Sequence, residues 1–252
     1  MKSLKKTHIG KRSINQDYVE TFFNKDKQLL AVLCDGMGGH KAGDVASEMA
    51  VLQIGNQWQE TSFENSLEIS KWLDEHINIE NRRIYRVANN YKDLDGMGTT
   101  IVAAAFINDE IIIGNVGDSR AYFLNDEGLS LITTDHTFAN ELRLKGEITK
   151  EEAEKHHQRH TLTRSLGVFN KLTIDFFFLK QTDDFLIMLC SDGLTNGVNH
   201  TLLEKVLRSQ NTMSNKAESL TEAALENGST DNITLCLIEK REHSNTKGKE
   251  GI

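Results

Sequence analysis

The chain has 252 residues, of which 38% are hydrophobic, and a formal net charge of −8, which suits one large domain or two small ones with a buried core. The negative charge argues against general affinity for nucleic acid or for anionic membranes. No apolar stretch reaches about 18 residues, so no membrane insertion is expected.

The N-terminal third predicts one strand followed by two long helices. The apolar run 28–34 predicts the strand. The stretch 44–59, with Asp44 as its N-cap, has the spacing of an amphipathic helix, and so does 66–90. The apolar face of the first helix is predicted to carry Val45, Met49 and Leu52.

The rest of the chain predicts closely spaced strands and shorter helices. Runs rich in Ile, Val, Leu, Phe and Thr follow one another at hairpin distance, which favours antiparallel pairing. The predicted strands are 99–106, 110–116, 120–124, 129–133, 172–179, 185–190 and 232–239. The predicted helices are 136–145, 149–157, 199–209 and 213–227.

This order of elements predicts an α+β layered domain. We expect one domain over 1–240 and a polar, disordered tail over 241–252. The basic N-terminus lacks a following apolar segment, so it is not a signal peptide. The cysteines all lie in apolar runs, as expected for buried thiols of a cytoplasmic protein, and none begins the C-x5-R pattern of a cysteine phosphatase.

Four aspartates lie where a predicted strand begins or ends: Asp35, Asp118, Asp192 and Asp231. Turn formation explains any one of them equally well. Strand ends converge in a packed sheet, however, and several ionised carboxylates repel one another unless a cation lies between them. Oxygen ligands without Cys or His pairs favour Mg²⁺ or Mn²⁺ over zinc, and the backbone carbonyl of Gly36 can reach a hydrated ion.

The glycines after Asp35 fit neither nucleotide-binding template. The pattern G-x-x-x-x-G-K-[ST] is absent from the chain. In G-x-G-x-x-G the third glycine is required, and Lys41 stands at that position. The glycine-rich segment is therefore assigned to a metal site and not to a nucleotide.

Eight motifs, in order and at matching spacing, resemble the metal-dependent protein Ser/Thr phosphatases, the PPM or protein phosphatase 2C-like family, and its bacterial branch in particular. The resemblance extends roughly from Thr7 to Glu239. It implies a four-layer α-β-β-α sandwich, two antiparallel β-sheets flanked by helices, with a dinuclear Mn²⁺/Mg²⁺ centre at one end. The motifs are RSINQD (12–17), DGMGGHKAG (35–43), GMGTT (96–100), GNVGDSR (114–120), TTDHT (133–137), LTRSLG (162–167), SDGLTN (191–196) and TDNIT (230–234).

The resemblance also implies the ligands of the two core ions. Asp35 would bridge both ions, and the Gly36 carbonyl would bind one of them. Asp192 and Asp231 would bind the other ion. Asn232 would help to orient Asp231.

Three further residues receive roles by the same resemblance. Asp118 looks like the ligand of a third, weaker ion, which it would share with Asp192. Asp17 would hold a water molecule that is bound to the metal. Arg12 resembles the arginine that grips the substrate phosphate, a role that suits its forked guanidinium.

The implied chemistry is direct hydrolysis. A hydroxide that bridges two cations would attack phosphorus in line with the leaving Ser or Thr oxygen. The cations and Arg12 would stabilise charge on the non-bridging oxygens, and no covalent phosphoenzyme is needed.

The sequence departs from the animal members of the family at Met37, where they carry a histidine proposed as the general acid. The acid is then either His40, for which a structural role is equally good, or water on the metal. The segment 136–160 resembles the flap beside the active site, which we expect to be mobile and to affect substrate choice. Its histidines, His136, His156, His157 and His160, fit a solvated helix end better than a metal site.

The expected function is therefore a monomeric, cytoplasmic phosphatase of phosphorylated proteins. In the bacterial branch these enzymes often oppose a membrane-bound Ser/Thr kinase, so such a kinase is the expected partner. Two alternatives stay open: a catalytically inactive module that binds phosphoproteins, and a phosphatase of small phosphoesters. The retained aspartates and Arg12 weaken the first alternative, and the motifs do not separate the second from protein dephosphorylation.

Overall fold

The computed structural model describes residues 1–39 and 42–241, and its strands form two sheets. Most of the predicted tail, and also His40, lie outside the described residues. The strands are β1 Lys2–His8, β2 Asp17–Phe23, β3 Leu29–Met37, β4 Gly98–Thr99, β5 Ile101–Ile107, β6 Glu110–Val116, β7 Arg120–Asn125, β8 Gly128–Leu131, β9 Asp175–Lys180, β10 Phe185–Cys190 and β11 Ile233–Lys240.

Every strand pairs antiparallel with its neighbours. The first sheet has the order β1-β11-β10-β7-β8. The second has the order β2-β3-β5-β6-β9, with the short β4 added beside β3. Leu33, Ala104, Ile187 and Cys236 belong to the apolar layer that joins the two sheets face to face.

Helices cover the outer face of each sheet. Two long helices pack on the β2-β3-β5-β6-β9 sheet, and two C-terminal helices pack on the other sheet. No helix within residues 1–39 and 42–241 is long and apolar enough to cross a bilayer. The helices are α1 Ala42–Gln59, α2 Ser66–Asn90, α3 Phe138–Leu144, α4 Lys150–Lys155, α5 Asp192–Thr195, α6 His200–Arg208 and α7 Met213–Glu226, with a 3-10 turn at Lys92–Leu94.

The layered α-β-β-α architecture confirms the predicted fold class. The sequence missed the strands β1 and β2 and the short helix α5. Strand β1 lies at a sheet edge, where three of its seven residues are lysines and none is fully buried, so it lacks the apolar run used to find the other strands.

The predicted apolar face of α1 is confirmed in part, because Val45 and Met49 pack against the core. The fully buried stripe is Ala46, Ala50, Val51, Ile54 and Trp58, whereas the three residues predicted for that face are half-buried. Small residues let the helix approach the sheet closely, so large apolar side chains did not by themselves mark the face that packs on the sheet. Asp44 lies within the first turn and accepts from the Val45 N–H, because the helix already begins at Ala42.

Glu80 is a fully buried carboxylate on α2. Neither of its oxygens has a hydrogen-bond partner among the described residues, and the Arg83 Nη1 lies 3.6 Å from Oε2. Burial raises the pKa of Glu80 to about 7, and Arg83 opposes that rise. The carboxyl group is therefore largely protonated in the folded protein at weakly acidic pH and ionises near neutral pH.

We predict that Glu80→Gln stabilises the protein at alkaline pH. An unfolded glutamate has a pKa of about 4.3, so the unfolded chain releases a proton that the folded chain keeps. The stability of the wild-type protein is therefore full below about pH 4 and falls as the pH rises through about 7, by on the order of 3 kcal/mol in total. Glutamine cannot ionise, so the variant avoids this loss.

Urea unfolding at about pH 5 and about pH 8 measures the effect. Glu75→Gln, an exposed glutamate on the same helix, is the matched control; it keeps Glu80 and should lose stability between the two pH values as the wild-type protein does. The prediction would be contradicted if the free energy of unfolding of Glu80→Gln differed from that of the wild-type protein by the same amount at both pH values.

Candidate metal centre

Asp17 and Asp35 lie opposite each other at one end of the β2-β3 pair. Asp17 is the first residue of β2, and Asp35 lies near the end of β3. The side chain of Asp17 is buried. Antiparallel pairing therefore brings these two carboxylates together, although they come from positions 18 residues apart.

Asp192 and Asp231 meet at the same end of the other sheet. Asp192 follows the end of β10 and Asp231 precedes the start of β11, and the two strands are antiparallel neighbours. The Ser191 N–H donates to the Thr234 carbonyl at 3.0 Å, which extends this pairing beyond the strands. A Cβ atom on Gly193 would lie 1.9 Å from the Asn232 carbonyl oxygen, so the two segments touch through main chain.

Two features join these pairs across the sandwich. The Ser191 hydroxyl donates to Asp17 Oδ2 at 2.8 Å, which links one sheet to the other. Asp118 lies on the crossover between β6 of one sheet and β7 of the other, and its side chain is buried. The structure thus places the aspartates singled out from the sequence at one end of the molecule.

The crowding of these carboxylates changes their pKa values. Burial raises the pKa of Asp35 well above its usual value, and repulsion by Asp17, Asp192, Asp118 and Asp231 raises it further. Burial, followed by repulsion from nearby carboxylates, likewise raises the pKa of Asp118 well above its usual value, and the pKa of Asp17 to about 7.

Without a cation, this cluster cannot hold all its negative charge. Asp17 Oδ1 is also buried without a hydrogen-bond partner within the described residues. Several carboxylate oxygens in one site form a donor set that suits a hard divalent cation such as Mg²⁺ or Mn²⁺. The residues present therefore fit the metal that the sequence predicts.

Arg12 and Asp231 contact each other directly. The Arg12 Nη2 donates to Asp231 Oδ2 at 2.8 Å, and more than half of the Arg12 side chain is exposed. A guanidinium thus lies against a predicted metal ligand and supplies positive charge there.

Asn232 is a buried residue that closes the loop carrying Arg12. Its main-chain N–H donates to Asp231 Oδ1 at 2.8 Å. Its side chain accepts from the Gln16 N–H and donates to the carbonyls of Ile9 and Ile14. The residue therefore contacts Asp231 through its backbone and fixes the 9–16 loop through its amide.

Gly36 is required by close packing of the main chain. A Cβ atom there would lie 1.9 Å from the Gly43 carbonyl oxygen and 2.7 Å from that of Gln16. The first turn of α1 thus packs directly on the end of β3. The sequence explained this glycine by metal access alone and did not predict that the helix packs against it.

Thr99 and Thr100 are site residues that sequence reasoning did not identify. Thr100 accepts from the Asp35 N–H at 2.9 Å and returns a main-chain hydrogen bond to the Asp35 carbonyl at 2.8 Å. The Thr99 hydroxyl donates to the same carbonyl. Both threonines belong to the GMGTT motif (96–100), but no role for them follows from the sequence alone.

The flap places one histidine beside two of the aspartates. It contains α3 and α4, and a bridge between Thr137 and Leu162 closes its base. His160 Nδ1 lies 3.5 Å from Asp192 Oδ2, and donor atoms of His160, Asp192 and Asp118 all lie within 4.8 Å of one another. The flap therefore brings a nitrogen donor to the two carboxylates assigned to a third ion.

The remaining candidates lie elsewhere. His156 and His157 stack on each other with ring centroids 4.5 Å apart. Met37 pairs with Gly98 of β4, and its thioether carries no proton to donate. His40 lies outside the described residues, so the structure gives it no position.

A four-layer sandwich with buried carboxylates at one end defines the class of metal-dependent protein phosphatases, and comparisons with known proteins give the family. The model of the family described as protein phosphatase 2C matches residues 5–227. The chain belongs to the protein phosphatase 2C family, whose members are metal-dependent.

Relatives and solved structures agree with this assignment. The Ser/Thr phosphatase stp of Listeria innocua is 45% identical over 231 residues, 91% of each chain. The structure of the S. agalactiae Ser/Thr phosphatase matches with a TM-score of 0.92 and 39% identity, over 96% of this chain and 99% of that one. The catalytic domain of the phosphatase PstP, solved with two manganese ions, matches with a TM-score of 0.82 and 30% identity, over 95% and 98%.

We predict opposite effects of Asp35→Asn with and without metal. In chelator, the substitution removes one member of a repelling cluster, so the melting temperature should rise. With Mn²⁺, the wild-type protein should gain stability by ligand binding, about 2.7 kcal/mol at a hundredfold excess over Kd, and the variant should gain much less. For a domain of this size, 1 kcal/mol corresponds to about 2–4 °C.

Thermal unfolding in chelator and in Mn²⁺ tests this prediction. Asp109→Asn, in the exposed β5–β6 hairpin at the opposite end of the sandwich, is the control and should behave as the wild type in both conditions. An Asp35→Asn protein that is destabilised in chelator would show that the carboxylate cluster is not strained.

Proposed function

We propose that this protein phosphatase hydrolyses phosphoserine and phosphothreonine in phosphorylated proteins, with two Mn²⁺ or Mg²⁺ ions in its core site. The observation that carries the proposal is the convergence of Asp35, Asp192 and Asp231 in one carboxylate cluster, with Arg12 at its rim. The relatives named as Ser/Thr phosphatases support it.

The proposed ligands are residues of this cluster. Asp35, the Gly36 carbonyl, Asp192 and Asp231 would hold the two core ions. Asp118 and Asp192 would hold a third, weaker ion. When bound, such ions neutralise phosphate charge and lower the pKa of coordinated water toward neutrality.

Arg12 binds the phosphate group of the substrate in this proposal. Its guanidinium contacts Asp231 in the structure, and it is exposed enough to turn toward a phosphate. Two parallel hydrogen bonds to phosphate oxygens would hold the phosphorus in place and stabilise charge in the transition state. Asn232 supports this role by fixing the loop that carries Arg12.

Hydrolysis then proceeds in one displacement. The oxygen of water loses a proton and forms a bond to phosphorus while the bond to the Ser or Thr oxygen breaks on the opposite side, and that leaving oxygen takes up a proton. Asp17 is proposed to orient the water, since Oδ1 has no hydrogen-bond partner among the described residues and Oδ2 accepts from Ser191. Met37 cannot supply the proton, which leaves His40 and water as candidates.

The proposal extends to cellular context. A membrane-bound Ser/Thr kinase with shared substrates is the proposed partner, from the resemblance to bacterial family members. All three cysteines are free and buried, which supports a cytoplasmic location. We further propose that residues 1–240 act as one phosphatase domain.

The experiment that tests the proposal is phosphate release from a phosphothreonine peptide after chelation and Mn²⁺ titration. Activity should vanish with chelator and return with the ion. A small aryl phosphate assayed in parallel separates a protein phosphatase from an enzyme of small phosphoesters. Folded protein that releases no phosphate at any metal concentration would support the binding-module alternative.

Substitutions should separate the roles of three residues. We predict that Asp192→Asn lowers kcat by at least about a hundredfold, because a ligand shared by two sites is lost. Asp118→Asn should keep two ions bound but reduce activity. Arg12→Ala should chiefly raise KM for the peptide, while Arg86→Ala, an exposed arginine on α2, serves as the control. An unchanged KM in Arg12→Ala would contradict the role given to this arginine.

A further inference from the structure

His136 is a buried histidine of the TTDHT motif to which the proposed mechanism assigns no role. It lies at the base of the flap, just before the N-cap residue of α3. Its side chain lies between two other segments, the β6–β7 crossover that carries Asp118 and the strand β9. The contacts of its ring therefore join the flap base to both segments.

One ring nitrogen binds the crossover. The Gly117 N–H donates to His136 Nδ1 at 3.1 Å. The His136 main-chain N–H donates back to the Gly117 carbonyl at 2.9 Å. Because Nδ1 accepts a hydrogen bond, a neutral His136 ring must carry its proton on Nε2.

The other ring nitrogen binds Asp175 on β9. His136 Nε2 lies 3.1 Å from Asp175 Oδ2, so its proton is donated there. Arg164 Nη1 donates to Asp175 Oδ1 at 2.8 Å and lies 3.3 Å from His136 Nε2, so it stands beside the imidazole on the same carboxylate. Both oxygens of Asp175 are thus occupied by partners from the flap side.

The surroundings favour the neutral ring. Burial lowers the pKa of His136, and the Arg164 charge lowers it further. The contact with Asp175 and the charge of Asp135 act in the opposite direction but do not outweigh burial. A neutral ring is required by the geometry, since a protonated Nδ1 would face the Gly117 N–H.

Gly117 controls where Asp118 lies. Its φ of +108° is left-handed backbone, and a Cβ atom there would lie 2.6 Å from the Thr100 side chain. On the other side of Asp118, the Ser119 and Thr100 hydroxyls form a hydrogen bond of 2.8 Å. Asp118 is therefore flanked by two fixed residues, one bound to His136 and one bound to Thr100.

We infer that His136 is a positioning residue whose neutral ring fixes Asp118, through Gly117, and the flap base, through Asp175. The link to metal binding rests on the proposed function, because it takes Asp118 as an ion ligand. The hydrogen-bonding role of the ring does not depend on that assignment.

Two isosteric substitutions separate the two contacts. In His136→Asn, the amide oxygen can replace Nδ1 as the acceptor for Gly117, but the contact with Asp175 is lost. In His136→Gln, the amide nitrogen can replace Nε2 as the donor to Asp175, but the contact with Gly117 is lost. His200→Asn, an exposed histidine at the start of α6, is the matched control.

Three measurements then have opposite expected outcomes for the two variants. Exchange of the Gly117 amide should stay slow in His136→Asn and become fast in His136→Gln. Affinity for the weakest-bound Mn²⁺, followed by calorimetry, should fall about 10–100-fold only in His136→Gln. Tryptic cleavage of the flap at Lys145, Lys150 and Lys155 should accelerate only in His136→Asn.

The wild-type protein supplies a test that needs no variant. Proton–nitrogen correlation spectra of the imidazole should show the proton of His136 on Nε2. A proton on Nδ1, or variants in which amide exchange and flap cleavage change together, would overturn the inference. If Asp118→Asn leaves Mn²⁺ binding unchanged, the proposed third ion fails, while the ring spectrum and amide exchange still decide the role of His136.

Discussion

Mutual repulsion among clustered carboxylates is the constraint on which the rest of this structure depends. Asp17 and Asp35 come from one sheet, Asp192 and Asp231 from the other, and Asp118 from the crossover between them. Antiparallel pairing in each sheet, and face-to-face packing of the sheets, bring them together at one end. The apolar core thus stabilises a cluster that would separate in water, and a cation relieves the repulsion.

Neutral hydrogen-bonding groups keep most of this cluster in place, and few positively charged side chains are involved. Thr100 holds the backbone of Asp35 by two hydrogen bonds, and Ser191 holds the Asp17 carboxylate. Glycines let neighbouring segments touch directly, as at Gly36 and Gly193. Neutral donors and close packing fix the oxygens but leave their charge uncompensated, which is what a cation site requires.

The sequence predicted much of the fold, and its failures have physical causes. Apolar runs with turn residues located the central strands, since these are buried on both faces. Strand β1 was missed because an edge strand tolerates lysine on its exposed face. The convergence of the aspartates followed from strand ends, but the contact between Arg12 and Asp231 joins residues 219 positions apart and has no local signal.

Contacts between distant residues also escaped the sequence prediction for the flap, which was that it is mobile and affects substrate choice. Its base and its end contact the site in different ways. At the base, His136 is buried and hydrogen-bonded to a main-chain amide and a carboxylate, so its place is set by neutral, geometry-dependent contacts. Near the other end, His160 is about half exposed and faces the carboxylates Asp192 and Asp118. A buried contact persists without metal, whereas an exposed imidazole beside two carboxylates responds to any cation that they bind. The flap therefore has one end fixed by the fold and the other end beside the carboxylates that are proposed to bind an ion.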